Sequence, residues 1–253
     1  MASDSWELQF KGRKAEFSFD ESSDGKGFIG VQNAHLTETG RKYLAQGENL
    51  RAAIANVWAS AMVKGSRRPK TLLICAATPG EGATITSFQL SLYLTTEYRM
   101  RVLYVDTGDE GDPAFQTDSP RGLATFFDSA SSLESIVQST EIENLWMLPS
   151  GLQRGRGGSI ILRKERLQEF MGFCDEHFDA VIFDGSPILS APSMIELGRA
   201  VDQVIFVCRY STSRREVSQL AVEKLNSAGI TISGVVLNAR EFPVPPRFYN
   251  LVR

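Results

Sequence analysis

The chain has 253 residues, of which 42% are hydrophobic and 23% are charged, and its formal net charge is −3 at pH 7. This composition is that of an ordinary soluble globule, and the charge gives no bulk reason to bind nucleic acid or an anionic membrane. Three separated cysteines and two histidines argue against a disulfide framework and a histidine-rich metal site. With no apolar run long enough for a membrane span and no signal peptide, we expect a cytoplasmic location.

The N-terminal part of the chain is predicted to differ from the rest. Residues 1–45 are polar and charge-mixed, which indicates an arm that is partly disordered or laid across a neighbour. From Gly47 to Val63, apolar residues recur at the spacing of one buried helical stripe: Leu50, Ile54, Val57, Trp58 and Met62. We therefore expect a first helix here, at the start of one large domain over residues 46–240.

Strand and helix patterns alternate from Thr71 onward. The predicted strands are Thr71–Ala77, Arg101–Asp106, Leu145–Leu148, Asp179–Asp184, Asp202–Arg209 and Ile230–Asn238, and the predicted helices are Thr84–Glu97, Leu123–Phe127, Leu133–Val137, Ile160–His177, Ala191–Arg199 and Ser213–Ala228. Such alternation with apolar strands predicts an α/β fold, with a doubly wound, mostly parallel sheet flanked by helices. A basic, glycine-rich loop at Leu152–Ser159 and a proline-rich tail at residues 241–253 are expected outside the sheet.

The segment from Ala77 to Thr84 has the context of a phosphate-binding loop, because it joins the first strand of this alternation to a helix through a glycine turn. Glycines let backbone N–H groups curl around phosphate oxygens, and the helix N-terminus adds free donors and a positive dipole end. The usual pattern, G-x-x-x-x-G-K-[ST], places a lysine before the hydroxyl residue. Here Ala83 stands in the lysine position and Thr84 keeps the hydroxyl, so the cradle is predicted without its principal charge.

Two strands are predicted to end on a carboxylate, at Asp106 and at Asp184. Ligands of open α/β sheets bind at the carboxyl ends of the strands. The phosphate loop follows the carboxyl end of another strand of the same sheet. We therefore expect the loop and the two aspartates to lie at one edge of the sheet.

Further segments have motifs in the order and spacing of a known family: Glu48-x-x-Arg51-x-x-Ile54, Val102 to Asp106, Gly122-Leu123 with Ser132-Leu133-Glu134, Leu145 to Gly151, Phe178 to Asp184 with Ser186-Pro187, and Gly234 to Asn238. With the loop, they make the chain similar to the P-loop ATPases of the MinD/ParA type. Within these it resembles the bacterial tyrosine kinases (BY-kinases) of capsule and exopolysaccharide synthesis. The resemblance extends from about Gly47 to Arg240.

This resemblance implies a site for ATP or ADP with magnesium. The implied nucleotide-binding residues are Pro79, Gly80, Glu81, Gly82, Ala83, Thr84 and Asn238, the last of which would meet the adenine ring. The implied magnesium ligands are Thr84, Asp106 and Asp184, and the two aspartates would be the catalytic residues of an active enzyme. Glu48 and Arg51 would belong to the motif through which the family forms oligomers.

The chain also departs from the family pattern. Ala83 replaces the loop lysine, Gly108 stands where the family repeats an aspartate although Asp109 is adjacent, and Ile54 replaces the second arginine of the oligomerisation motif. The family's tyrosine-rich tail is reduced here to Tyr249. We therefore expect weaker self-association than in members with the full motif.

Three functions remain open at this point. The first is a pseudokinase that regulates a membrane polysaccharide co-polymerase, whose cytoplasmic tail would hold it at the inner face of the membrane. The second is an active kinase or ATPase with a surrogate cation from Lys70, Arg154, Arg156 or a neighbouring subunit. The third is a ParA-like positioning ATPase.

Overall fold

The structure is a computed structural model that describes residues 7–10, 13–16, 33–45, 48–63, 70–108, 113–117, 119–129, 131–153, 158, 160–210 and 212–239. Within these residues the strands are β1 (Glu7–Phe10), β2 (Arg13–Glu16), β3 (Asn33–Leu36), β4 (Thr71–Ala76), β5 (Val102–Asp106), β6 (Phe115–Gln116), β7 (Gln138–Thr140), β8 (Leu145–Leu148), β9 (Ala180–Asp184), β10 (Gln203–Arg209) and β11 (Ile232–Asn238). The α-helices are α1 (Glu38–Leu44), α2 (Glu48–Val63), α3 (Ala83–Tyr98), α4 (Leu123–Asp128), α5 (Lys164–His177), α6 (Ser193–Ala200) and α7 (Arg215–Ser227).

The main sheet has the strand order β11-β10-β4-β9-β5-β8-β7-β3-β6, and β1 pairs with β2 in a separate hairpin. The strands from β11 to β8 are all parallel. Antiparallel pairing occurs towards the other edge, between β8 and β7 and between β3 and β6. The prediction of a mostly parallel sheet is therefore confirmed.

Helices cover both faces of this sheet. On β4, Leu73 and Cys75 point to the layer that contains α4, α5, α6 and α7, whereas Leu72 and Ile74 point to the layer that contains α2 and α3. This alternation is the period of two that a pleated strand imposes. The result is the predicted doubly wound arrangement, with an apolar core on each face.

The N-terminal boundary of the domain differs from the prediction. Residues 33–45 were expected to lie in an arm, but β3 pairs with β7 and β6, and α1 packs against α3. Thr37 fixes this segment, because its N–H donates to the carbonyl oxygen of Ala114 (3.1 Å) and its hydroxyl donates to that of Pro113 (2.7 Å). The sequence pattern missed β3 because it is a four-residue strand with little apolar alternation.

Helix α5 begins later than predicted. Ile160 was expected to open the helix, but the backbone at Arg163 is still extended and the helix starts at Lys164. Ile160 is nevertheless buried in the core, from the segment that precedes the helix. The prediction included Ile160 because its apolar side chain fits the helical pattern, although the residue lies before the helix.

The remaining predicted elements agree with the structure to within two residues at each end, apart from Leu133–Val137, of which Leu133–Ser135 forms a single 3₁₀ turn. Most of the basic loop, residues 154–157 and 159, lies outside the described residues, as does the whole tail 241–253. Among the residues described, no helix combines the length and apolarity that crossing a bilayer requires.

Gly40 tests how tightly the N-terminal segment is packed, and Gly172 serves as its control. A Cβ added at Gly40 of α1 would lie 2.1 Å from the main-chain oxygen of Ala114, whereas one added at Gly172 of α5 meets nothing within 4 Å. We expect Gly40→Ala to lower the free energy of unfolding by about 1–3 kcal/mol through overpacking. Gly172→Ala, the matched control, should raise it by about 0.5–1 kcal/mol. Urea unfolding measures both, and an unchanged Gly40→Ala variant would mean that α1 is not docked as described.

Candidate functional site

The loop between β4 and α3 has a glycine-dependent backbone. Gly80 has φ +80° and Gly82 has φ +106°, a region that residues with a Cβ rarely adopt. A Cβ at Gly82 would also lie 1.9 Å from the Nδ2 atom of Asn238. The second glycine is therefore required both by its backbone angle and by a close neighbour.

Glu81 braces the loop from within. Its side chain is buried, and its Oε2 atom accepts hydrogen bonds from the N–H groups of Ala77 (2.8 Å) and Thr78 (3.1 Å). Its Oε1 atom accepts a hydrogen bond from the hydroxyl of Ser213, just before α7. Both carboxylate oxygens of Glu81 thus accept hydrogen bonds from other residues of the chain. A ligand in the loop would therefore contact the backbone of the loop rather than this carboxylate.

The ends of β10 and β11 hold the outer side of the loop. Asn238 donates from Nδ2 to the carbonyl oxygen of Glu81 (3.1 Å), and Arg209 donates from Nη1 to that of Gly80 (3.3 Å). Asn238, which the family resemblance places at an adenine ring, therefore lies against the loop. Sequence reasoning missed Arg209, although it ends a strand at the same edge of the sheet as the two aspartates.

Asp106 and Asp184 lie side by side, because they are register partners at the ends of the adjacent parallel strands β5 and β9. Both are largely buried, each with 7% of its surface exposed. The Oδ1 atom of Asp106 accepts a hydrogen bond from the N–H of Gly108 (2.9 Å). The structure thus brings the two predicted carboxylates together.

Hydroxyl groups surround the carboxylate of Asp184. Ser87 donates to Oδ1 (2.9 Å), Tyr104 donates to Oδ2 (2.6 Å), and the side chain of Thr84 is a further hydrogen-bond partner. Burial and, after it, the charge of Asp106 raise the pKa of Asp184 to about 7, although the hydroxyls act in the opposite direction. Burial and the two carboxylates also raise the pKa of Tyr104 well above its usual range, so its hydroxyl remains a donor.

This donor set fits magnesium. Asp106, Asp184 and Thr84 supply hard oxygen ligands, which Mg²⁺ prefers, and a divalent cation would relieve the repulsion between the two carboxylates. The described residues contain no group of three or more acidic, histidine or cysteine side chains that could hold a metal ion. The fit therefore depends on two carboxylates and one hydroxyl, as in the predicted ligand set.

The structure excludes Lys70 as a surrogate cation for the loop. Lys70 precedes the amino end of β4, where its Nζ atom pairs with the carboxylate of Asp175 (2.7 Å). The loop follows the other end of this strand, roughly 20 Å away at about 3.3 Å per residue. Arg154 and Arg156, the other predicted candidates in the chain, lie outside the described residues.

The segment that resembles the family's oligomerisation motif lies on α2. Glu48 and Arg51 are in its first turns, and their side chains are outside what the structure describes. Ile54 is 2% exposed and Trp58 is 1% exposed, so both pack into the core beneath the helix. The position at which the family has a second arginine therefore faces inward in this protein.

Comparison with curated proteins identifies relatives at low identity. The tyrosine-protein kinase Etk of Escherichia coli K12 is 25% identical over 170 residues, which cover 66% of this chain and 23% of Etk. YwqD of Bacillus subtilis strain 168, also a tyrosine-protein kinase, is 27% identical over 179 residues, which cover 69% of this chain and 74% of YwqD. A putative tyrosine-protein kinase in the cps region of Klebsiella pneumoniae is 22% identical over 174 residues, which cover 68% of this chain and 24% of that kinase.

The homologues of this chain are bacterial tyrosine kinases. The chain spans less than a quarter of the length of Etk, and no protein-family model matches it.

Solved structures establish the fold. The kinase domain of Escherichia coli ETK superposes with a TM-score of 0.67 at 20% identity, over 87% of this chain and 94% of that one. The chimerical protein CapA2B2 gives 0.71 at 17% identity, over 84% and 94%. A Borrelia burgdorferi plasmid partition protein bound to AMPPNP gives 0.54 at 13% identity, over 73% and 80%. The chain therefore shares its fold with a bacterial tyrosine kinase domain and, less closely, with a plasmid partition protein.

The buried carboxylate of Asp184 makes a pH-dependent prediction for the metal-free protein. The folded pKa of about 7 lies above the ordinary value of 3.8, so between these values the folded state binds more protons than the unfolded state. Stability should therefore fall as the pH rises through this window. Asp184→Asn has no such proton to lose, and its free energy of unfolding relative to wild type should rise by on the order of 2–4 kcal/mol from pH 4 to pH 8.

Asp179→Asn provides a control of opposite sign. Burial opposes the shift at Asp179, but hydrogen bonds from Arg101 hold its pKa below the usual value. Its contribution to stability is present above the ordinary pKa of 3.8 and is lost only at lower pH, so this variant should be less stable than wild type by a nearly constant amount from pH 4 to pH 8. Urea unfolding in EDTA across this pH range measures both variants. A pH-independent difference for Asp184→Asn would contradict the raised pKa.

Proposed function

We propose that this chain is a BY-kinase-like pseudokinase, a cytoplasmic regulatory partner of a membrane polysaccharide co-polymerase in exopolysaccharide or capsule synthesis. The observation that carries the proposal is Ala83, an apolar residue at the start of α3 where the phosphate loop has its lysine. The named relatives support it, because they are tyrosine-protein kinases and one of them is a putative kinase in a cps region. Because the chain spans only part of Etk, the partner and the process belong to the proposal.

The chemistry explains why binding and turnover separate at such a site. Phosphoryl transfer depends mainly on positioning and on neutralising charge at the β- and γ-phosphates. Loss of one preorganised group at such a place costs about 3–4 kcal/mol of transition-state stabilisation. The backbone donors at the start of α3 remain, as do Thr84, Asp106 and Asp184. We therefore propose weak binding of ATP or ADP with magnesium. Thr84, Asp106 and Asp184 would hold the magnesium ion, which would neutralise part of the phosphate charge.

A second candidate function, an active kinase or ATPase, has one structural observation in its favour. Arg209 donates a hydrogen bond to the carbonyl oxygen of Gly80 in the loop. Its side chain is exposed, and it forms no ion pair with a carboxylate among the described residues. A guanidinium there could move towards a bound phosphate. The ParA-like alternative shares the fold, but the loop also lacks the lysine on which that family depends.

Restoring the lysine tests the proposal at Ala83. Wild type should show no ATP turnover above background, and Ala83→Lys should bind ATP about 10- to 100-fold more tightly, because an ammonium on phosphate forms a charge-assisted contact. Adding Asp184→Ala to Ala83→Lys should abolish any hydrolysis that Ala83→Lys gains. Calorimetry and phosphate release measure these effects. If wild type hydrolyses ATP, and Arg209→Ala abolishes this turnover while Arg215→Ala retains it, the second candidate function, an active kinase or ATPase, is correct instead.

Docking to the partner gives an independent prediction. Purified cytoplasmic tails of the host's polysaccharide co-polymerases should bind the full chain in calorimetry with a micromolar Kd. A regulatory partner has to dock without turnover, so Asp184→Ala should bind the same tail with unchanged affinity. If no co-polymerase tail binds, the regulatory role fails even where the Ala83 results hold.

A further inference from the structure

Tyr104 is a buried tyrosine whose hydroxyl is directed at the functional site. It lies on β5 two residues before Asp106, so both side chains emerge on the same face of the strand. Its hydroxyl donates a hydrogen bond of 2.6 Å to the Oδ2 atom of Asp184, on the adjacent strand β9. A hydrogen bond from a hydroxyl to a carboxylate at this distance belongs to the strong, charge-assisted class.

Aromatic packing fixes the position of the Tyr104 ring. Phe115 of β6 contacts it edge-on, with ring centroids 5.7 Å apart, and Phe88 of α3 contacts Phe115 at 5.6 Å. Tyr104 is 1% exposed and Phe88 and Phe115 are also buried, so the ring has no open space into which it could turn. The hydroxyl is therefore held at Asp184 by the core itself.

The second oxygen of Asp184 is served less firmly. The Ser87 hydroxyl lies 2.9 Å from Oδ1, but the carbonyl oxygens of Ala83 and Thr84 are also within reach at 2.9 Å and 3.1 Å. A serine hydroxyl carries one proton, which it can give to only one acceptor at a time. Tyr104 is thus better committed than Ser87 as a donor to this buried carboxylate.

We propose that Tyr104 is a positioning residue that acts in place of a cation at Asp184, stabilising the metal-free site and competing with a divalent metal ion for the carboxylate. A bound metal ion draws charge away from the carboxylate oxygens and weakens the hydrogen bond that they accept. The hydroxyl therefore stabilises the metal-free state more than the metal-bound state. By thermodynamic linkage, the affinity of the site for the metal ion is lowered by this difference in free energy. The inference rests on the magnesium site of the proposed function and adds a residue that restrains it.

Tyr104→Phe tests this competition without nucleotide or turnover. The variant keeps the ring and its packing but removes the hydroxyl. In EDTA its melting temperature should be lower than that of wild type, because a buried carboxylate has lost a donor. In calorimetric titration with MgCl₂ alone at pH 8.5, it should bind magnesium about fivefold or more tightly. Tyr98→Phe, which removes a hydroxyl from a half-exposed ring, should change neither value.

Ser87→Ala keeps the test decisive if Tyr104→Phe does not fold. It removes the weaker donor to the same carboxylate without leaving a large cavity, and it should tighten magnesium binding in the same direction by a smaller factor. Unchanged or weaker magnesium binding by a folded Tyr104→Phe overturns the proposal, and the same result for Ser87→Ala overturns it where Tyr104→Phe does not fold. A lack of magnesium binding by wild type and variants alike overturns it too. Hydrolysis of ATP by wild type would overturn the pseudokinase function but leave this titration unaffected, so the two failures are distinguishable.

Discussion

Two carboxylates buried side by side at the ends of adjacent strands constrain the rest of this site. Parallel pairing of β5 with β9 forces Asp106 and Asp184 into register, and neither can move away without breaking the sheet. Burying such a pair is unfavourable unless protons, hydrogen bonds or a cation compensate the charge. The hydroxyls of Ser87 and Tyr104 supply part of this compensation. The elevated pKa of Asp184, about 7, shows that they do not supply all of it.

The phosphate loop is maintained by different contacts from those that hold the carboxylates. Glu81 satisfies the N–H groups at the base of the loop, and Asn238 and Arg209 bind its carbonyl oxygens from the neighbouring strands. None of these contacts involves the residue in the lysine position. The chain can therefore carry alanine there without losing the shape of the loop.

The sequence was sufficient to predict the sheet, the loop and the carboxylate pair, because each leaves a local pattern. Apolar strands that alternate with helices identify the doubly wound fold, and polar residues at strand ends identify its functional edge. The short strands β3, β6 and β7 leave no such pattern, since they have only four, two and three residues. β3 is held by pairing with distant segments. The sequence shows Tyr104 only as part of a family motif. Its contact with Asp184 could not be predicted, because that contact depends on how β5 and β9 pair.

Tyr104 also gives the N-terminal segment a physical connection to the site. Phe115, which fixes the tyrosine ring, lies on β6, and β6 pairs with β3. Tyr43 of α1 contacts Phe88 at a centroid distance of 6.1 Å, and Phe88 contacts Phe115. Residues 33–44 therefore help to enclose the aromatic group that places a hydroxyl on Asp184. Since a packed core transmits displacement, a movement of this segment would reach the donor to the carboxylate through these rings.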